Sequence, residues 1–134
     1  MKNTAKLVLV RGIPGSGKST FAKSVYPTYE HLETDLYFMQ DRGYVFEPAK
    51  LKQAHEWCQA TTRKRLEDGE CVVVSNTFIK MWELRPYLDM AKELGVPVKV
   101  FHMKGEYGSV HNVPEEVIAR MKLNYEPYHG EACT

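Results

Sequence analysis

The run Gly12-Ile13-Pro14-Gly15-Ser16-Gly17-Lys18-Ser19 constrains this chain more than any other feature, because its G-x-x-x-x-G-K-[ST] spacing works only as the turn between a strand and a helix. Both flanks are present. Lys6-Leu7-Val8-Leu9-Val10 is a β-branched run that ends in Arg11, and a helical pattern follows from about Lys18 to Tyr26, closed by Pro27. Gly12, Gly15 and Gly17 let the backbone fold into a nest whose N–H groups point at phosphate oxygens, and the positive end of the following helix adds to that field. Lys18 supplies a mobile charge for the β- and γ-phosphates, and the Ser19 hydroxyl is the expected magnesium ligand. Pro14, Ser16 and Thr20 belong to the same cradle. ATP or another nucleoside triphosphate, with Mg2+, is the expected ligand. A dinucleotide G-x-G-x-x-G reading fails, since no Gly follows Gly17 at the needed offset.

The rest of the chain alternates short strand patterns with longer helical ones, without repeats or low-complexity tracts. A second strand is expected from about Glu30 to Thr34, closed by Asp35. An irregular aromatic stretch to Glu47 follows, with Arg42-Gly43 as a turn. Pro48 suits the first turn of a helix that runs to about Glu67, with Leu51, Ala54, Cys58 and Thr61 on one stripe. Cys71-Val72-Val73-Val74 lacks polar alternation, as expected of a strand covered on both faces. Met81, Leu84, Leu88 and Ala91 mark another helix stopped by Gly95, in which Pro86 must lie in the first turn or bend the axis. Val98 to Met103 is a fourth strand. Pro114-Glu115-Glu116 opens the last helix, with Val117, Met121 and Tyr125 on one face. Alternating strands and helices imply parallel strands joined by right-handed crossovers. The expected fold is α/β, a three-layer P-loop NTPase fold with a mostly parallel sheet of about four to five strands and helices on both faces.

At 134 residues, 43% apolar and 26% charged, the chain has the size of one domain, so residues 1–134 are expected to form a single unit with a short lid at about 104–113. Lys and Arg number 18 against 17 Asp and Glu, a formal +1, which argues against a broad basic face that binds nucleic acid by counterion release alone. No apolar run approaches the roughly 18 residues of a membrane span. Met1-Lys2-Asn3-Thr4 leads straight into a strand, unlike a signal peptide, so a cytoplasmic location is expected. Cys58, Cys71 and Cys133 have no metal-ligand spacing and read as free thiols: a helix-face residue, the start of a buried strand, and a loose tail.

A phosphate-binding loop alone does not choose between kinase, hydrolase and switch. Asp35 is the most informative second residue, because ligands of open α/β sheets bind at the carboxyl ends of strands. A carboxylate there can take the proton of an acceptor hydroxyl aligned with the γ-phosphate. The alternative is a cap for the turn Asp35-Leu36-Tyr37-Phe38.

The chain resembles the polynucleotide kinase-like group of small P-loop kinases, which includes short phage and bacterial ATP-binding proteins of the AAA family. The resemblance spans nearly the whole sequence: RGIPGSGKSTFAK, Glu33-Thr34-Asp35, AHEW at Ala54 to Trp57, VVVSNTF at Val72 to Phe78, WELRPY at Trp82 to Tyr87, and HNVPEEVIARM at His111 to Met121. It implies that Asp35 is the general base for a 5′-hydroxyl of DNA or RNA, with ATP and magnesium as donor. The sequence departs from the group's pattern in three places. Asp35-Leu36 replaces two successive acids, with no basic residue before Arg42. Ser75-Asn76-Thr77 stands where members often carry an acid for magnesium. The segment Lys104 to His111 lacks the usual lid arginine, which implies a slow enzyme, a replacement such as Lys104, Arg42 or Arg120, or a cation supplied by a partner subunit. A cation at the transferring phosphoryl group is worth several powers of ten in rate.

On the acceptor side, Tyr37, Phe38, Tyr44 and Phe46 surround Arg42; such residues stack a base and hold a phosphate, or simply fill space over the sheet. Ser75 and Asn76 read either as partners of the γ-phosphate or metal water, or as a turn in which Asn76 or Thr77 caps the next helix. Trp57 and Trp82 read as core or groove-wall residues. His31, His55, His102 and His129 receive no role, and His111 is a weak candidate for touching nucleotide. Three functions stand: a polynucleotide 5′-hydroxyl kinase, a small-molecule kinase acting on a nucleoside-like alcohol, and a nucleotide-binding module with little turnover.

Overall fold

The computed structural model describes residues 4–40, 43–44, 47–105, 113–128 and 131–133. Strand β1 (Leu7–Arg11) is buried along its whole length, as its unbroken apolar run demands. It lies at the centre of a five-stranded parallel sheet. Helix α1 (Lys18–Val25) follows, then β2 (Glu30–Leu32), a two-residue hairpin pair β3 (Met39–Gln40) and β4 (Gly43–Tyr44), and helix α2 (Leu51–Glu67). The chain continues through β5 (Val72–Asn76), α3 (Met81–Leu94), β6 (Val98–His102), α4 (Glu115–Asn124) and β7 (Glu131–Cys133). The sheet order is β2-β5-β1-β6-β7.

Period-two alternation divides the core into two halves. Leu7, Leu9, Val72 and Val74 point to one face, where Cys58 and Leu66 of α2 and Leu84, Tyr87 and Met90 of α3 cover them. Val8, Val10 and Val73 point to the other, against Ala22 and Phe21 of α1. Helices therefore cover both faces, and the expected three-layer α/β fold is the fold found. Each fully buried Val or Leu contributes about 1.5–3 kcal/mol, so this layering carries most of the stability.

Three local expectations need correction. Cys133 is not in a loose tail: β7 adds a fifth strand, pairing His102 with Cys133. Three residues are too short a run for periodicity to reveal. β2 ends at Leu32, and Asp35 lies in a 3-10 turn, Thr34–Phe38, rather than closing the strand. The stripe of α2 runs through Ala54, Cys58, Thr62 and Leu66, while Leu51 is exposed, because the helix buries an i, i+4 row inclined to its axis rather than a three-or-four stripe along it. Thr62 occupies its buried place by donating to the Cys58 carbonyl at 2.7 Å. Pro86 sits in the second turn of α3, inside the helix. Among the described residues no helix is long and apolar enough to cross a membrane.

Candidate active site

The carboxyl edge of the sheet carries the loop between β1 and α1. Gly17 (φ 92°) and Gly15 (φ 80°) take left-handed conformations closed to other residues without strain. At Gly12 the constraint is space: a Cβ there would lie 2.3 Å from Ser16 Oγ and 2.7 Å from the Met103 carbonyl oxygen. Gly12 N–H donates to the Thr77 carbonyl at 3.3 Å, and Ser16 N–H to that of Ile13 at 3.1 Å. Ser16 is fully buried, and its hydroxyl has no hydrogen-bond partner among the described residues. Pro14, Gly15, Gly17, Lys18 and Ser19 are half-buried at the mouth, and Thr20 is exposed on α1. Lys18 Nζ reaches back over the loop to the Ile13 carbonyl at 3.1 Å. Burial pulls its ammonium below the ordinary lysine value, while Glu33 first and Asp35 second pull it back up.

Two carboxylates thus act on one lysine, and sequence reasoning singled out only Asp35. Glu33, one residue past β2, accepts a hydrogen bond from Ser19 Oγ at 2.6 Å. His31 Nε2 lies 3.5 Å from the same carboxylate oxygen and 2.6 Å from Ser75 Oγ. Burial holds His31 below the ordinary imidazole range, against the opposing pull of Glu33. His31 therefore has partners where sequence spacing offered none. The signal was available only in part: Glu33 stands in the E-T-D segment, but its partner Ser19 is fourteen residues away, and only the meeting of β2 with the P-loop joins them.

The pair after β5 is committed to structure. Asn76 Oδ1 accepts from Thr34 N–H at 2.8 Å, and Ser75, buried, is bonded to His31. Asn76 braces the 3-10 turn that carries Asp35, instead of capping α3. The N-terminus of α3 is closed by Glu83, whose carboxylate accepts from Lys80 N–H at 2.8 Å. Tyr37 donates to Gln53 at 3.2 Å and packs its ring 5.9 Å from that of Trp57, so it fastens the turn to α2. Phe38 is buried. Lys104 is exposed just beyond β6, on the P-loop edge, and Arg120 is exposed on α4. Arg42, Phe46, His111, His129 and most of the expected lid lie outside the described residues. Trp57 is packed against the core, but Trp82 is 63% exposed, at an open groove of about 980 Å³ between α2 and α3.

Arg11, which in the sequence only ends a strand pattern, is a principal structural residue. It is fully buried, and its guanidinium donates to the Phe78 carbonyl at 3.1 Å through Nε and to the Glu126 carbonyl at 2.7 Å through Nη2, 4.5 Å above the Tyr125 ring. Tyr125 in turn stacks on His102 at 4.5 Å and donates its hydroxyl to the Thr77 carbonyl at 2.7 Å. Phe78 has φ 46°, a region that costs a bulky residue about 1–2 kcal/mol. The guanidinium on its carbonyl offsets that strain.

Chemically, the edge presents a nest of N–H groups and a lysine for a polyphosphate, and a hydroxyl joined to a carboxylate. That donor set, oxygen only and singly acidic, fits a magnesium ion that takes its remaining ligands from phosphate and water. Ser19 is the residue that would hold it, its hydroxyl already bonded to the Glu33 carboxylate at 2.6 Å.

A family model for the AAA domain matches residues 7–106. Human NEDD4-binding protein 2 is 31% identical over 135 residues, covering 91% of this chain; the chain spans 8% of that protein's length. Among solved structures, a chain of the Pnkp1/Rnl/Hen1 RNA repair complex superposes with a TM-score of 0.64 at 19% identity, over 90% of this chain and 37% of its own. A gluconokinase from Sinorhizobium meliloti 1021 gives a TM-score of 0.65 at 16% identity, over 98% of this chain and 83% of its own. At these identities the two structures establish a shared P-loop kinase-like fold.

Proposed function

Because the chain belongs to the AAA domain family, in its P-loop kinase-like branch, we propose that it transfers the γ-phosphoryl group of ATP to a hydroxyl, that of a DNA or RNA 5′ end. The observation that carries the proposal is the geometry of the loop: left-handed Gly15 and Gly17, a Gly12 with no room for a Cβ, Lys18 folded back over the loop, and Ser19 bonded to Glu33 beside it at 2.6 Å. Lys18 and the loop N–H groups hold the donor's phosphates and neutralise charge as it builds on them. Asp35 accepts the proton of the acceptor hydroxyl as its oxygen bonds to the γ-phosphorus and the bond to the ADP oxygen breaks. Magnesium, when bound, supplies further neutralisation of the phosphate oxygens. Lys104, Arg120 or Arg42 serves in place of a lid arginine. Only a 5′ terminus need be engaged, so a formal +1 is compatible with a nucleic-acid acceptor.

The likeness to an RNA repair complex supports this acceptor. A gluconokinase likeness over nearly the whole chain favours a second reading, a small-molecule alcohol as acceptor. Incubation with γ-labelled ATP, Mg2+ and a 5′-hydroxyl oligonucleotide, beside a panel of sugars and nucleosides, decides between them. Label on the oligonucleotide is the expected result. Label only on a small alcohol would establish the second reading, and label on neither would leave a nucleotide-binding module.

A further inference from the structure

Two facts about the magnesium side of the site pull apart. The end of β5, where an acid for the cation is expected, carries Ser75 and Asn76, and both are engaged: Ser75 Oγ with His31 at 2.6 Å, Asn76 Oδ1 with Thr34 N–H at 2.8 Å. One strand further out, a carboxylate reaches the hydroxyl that would bind the metal. We infer that Glu33 is the carboxylate of the magnesium site, acting as a positioning residue on Ser19 in place of an acid on β5. The inference rests on the nucleotide reading above and deepens it by giving Glu33 a role toward the cation, through Ser19.

The argument is one of valence and support. A serine hydroxyl has one proton and two lone pairs. In the 2.6 Å contact Ser19 donates that proton to Glu33, so the lone pairs stay available to a cation and the oxygen gains donor strength. Were Glu33 absent, the hydroxyl proton would be free to turn toward the cation and oppose it. The carboxylate is in turn held: His31, half-buried beside it at 3.5 Å, is itself fixed by Ser75, so the end of β5 contributes to the site through an imidazole. Both Glu33 and His31 are about one fifth exposed, which leaves the pair partly open to water and ligand. A single carboxylate with a hydroxyl is a sufficient protein contribution for Mg2+, which keeps waters and takes phosphate oxygens for the rest. Asp35, on the adjoining turn, is then left to the acceptor hydroxyl, so the two acids divide between metal and proton transfer.

Calorimetric titration of ATP into the wild-type protein, Glu33→Gln and Glu33→Asp, each in Mg2+ and in EDTA, tests this without recourse to turnover. Mg2+ should tighten ATP binding to the wild type. Glu33→Gln should lose about ten-fold or more of that gain. In EDTA it should bind ATP as tightly as the wild type or more so, because a negative charge beside the phosphates has gone. Glu33→Asp, which keeps the charge at shorter reach, should fall between them. Ser19→Ala should lose the same gain, with no further loss when combined with Glu33→Gln. An equal Mg2+ gain in wild type and Glu33→Gln would overturn the inference while leaving the kinase reading intact. So would a loss in Glu33→Gln of the same size in EDTA, which would make the residue a support of the loop alone. Absence of ATP binding by the wild type in both conditions would overturn the nucleotide reading and this inference with it.

Discussion

Two cations lie seven residues apart in one strand-loop-helix, and the protein treats them in opposite ways. Arg11 is wholly buried over an aromatic ring, and its donors end on the carbonyls of Phe78 and Glu126. Lys18 is half-buried, reaches one loop carbonyl, and sits in the field of two carboxylates. A buried cation whose donors end on backbone carbonyls ties segments together. A cation held at a mouth by weaker attachments can exchange them for a ligand. The difference separates a structural half of the P-loop edge, toward β6 and the end of α4, from a chemical half, toward β2.

The comparison can be broken by substitution. Asp35→Asn should retain ATP binding and lower the transfer rate by about 10²- to 10⁴-fold, the range of a lost general base, as measured with the labelled oligonucleotide. Survival of transfer would move the proton to another group. Arg11→Met should lower stability by about 3 kcal/mol in urea denaturation, because it strands buried carbonyls and leaves Phe78 strained. Should Arg11→Met instead leave stability intact and abolish ATP binding, the division into halves would be wrong. Lys18→Ala should do the reverse, weakening ATP by about 100-fold in calorimetry, or ~3 kcal/mol, with the melting curve little changed. Trp82→Ala should change stability by less than about 0.5 kcal/mol, since the indole is 63% exposed and contributes to neither half.

The chemical half was the more legible in sequence. Walker-type spacing is local, so Gly12 to Ser19 announce a strand-to-helix turn with phosphate-binding chemistry within eight residues, whereas Asp35 is expected to close a strand that in fact stops at Leu32. The structural half is not local: Arg11 meets Phe78 and Glu126 across separations of 67 and 115 residues, and no pattern along the chain links them. Glu33 falls between these cases. Its place at a strand end was visible, but whether it or Asp35 reached Ser19 depended on where β2 stopped. Asn76 decides that by taking the Thr34 N–H and turning the chain early.

By itself, then, the sequence determined the layering, through unbroken apolar strands between amphipathic helices, and the phosphate cradle, through glycines that only one backbone path can use. Tertiary structure alone decided which polar side chains meet at the edge. Parallel pairing of β2, β5, β1 and β6 brings strand ends from distant parts of the chain to one line. Hydrogen bonds of 2.6 to 2.8 Å then select their partners by distance and angle, and neither quantity is written in residue order.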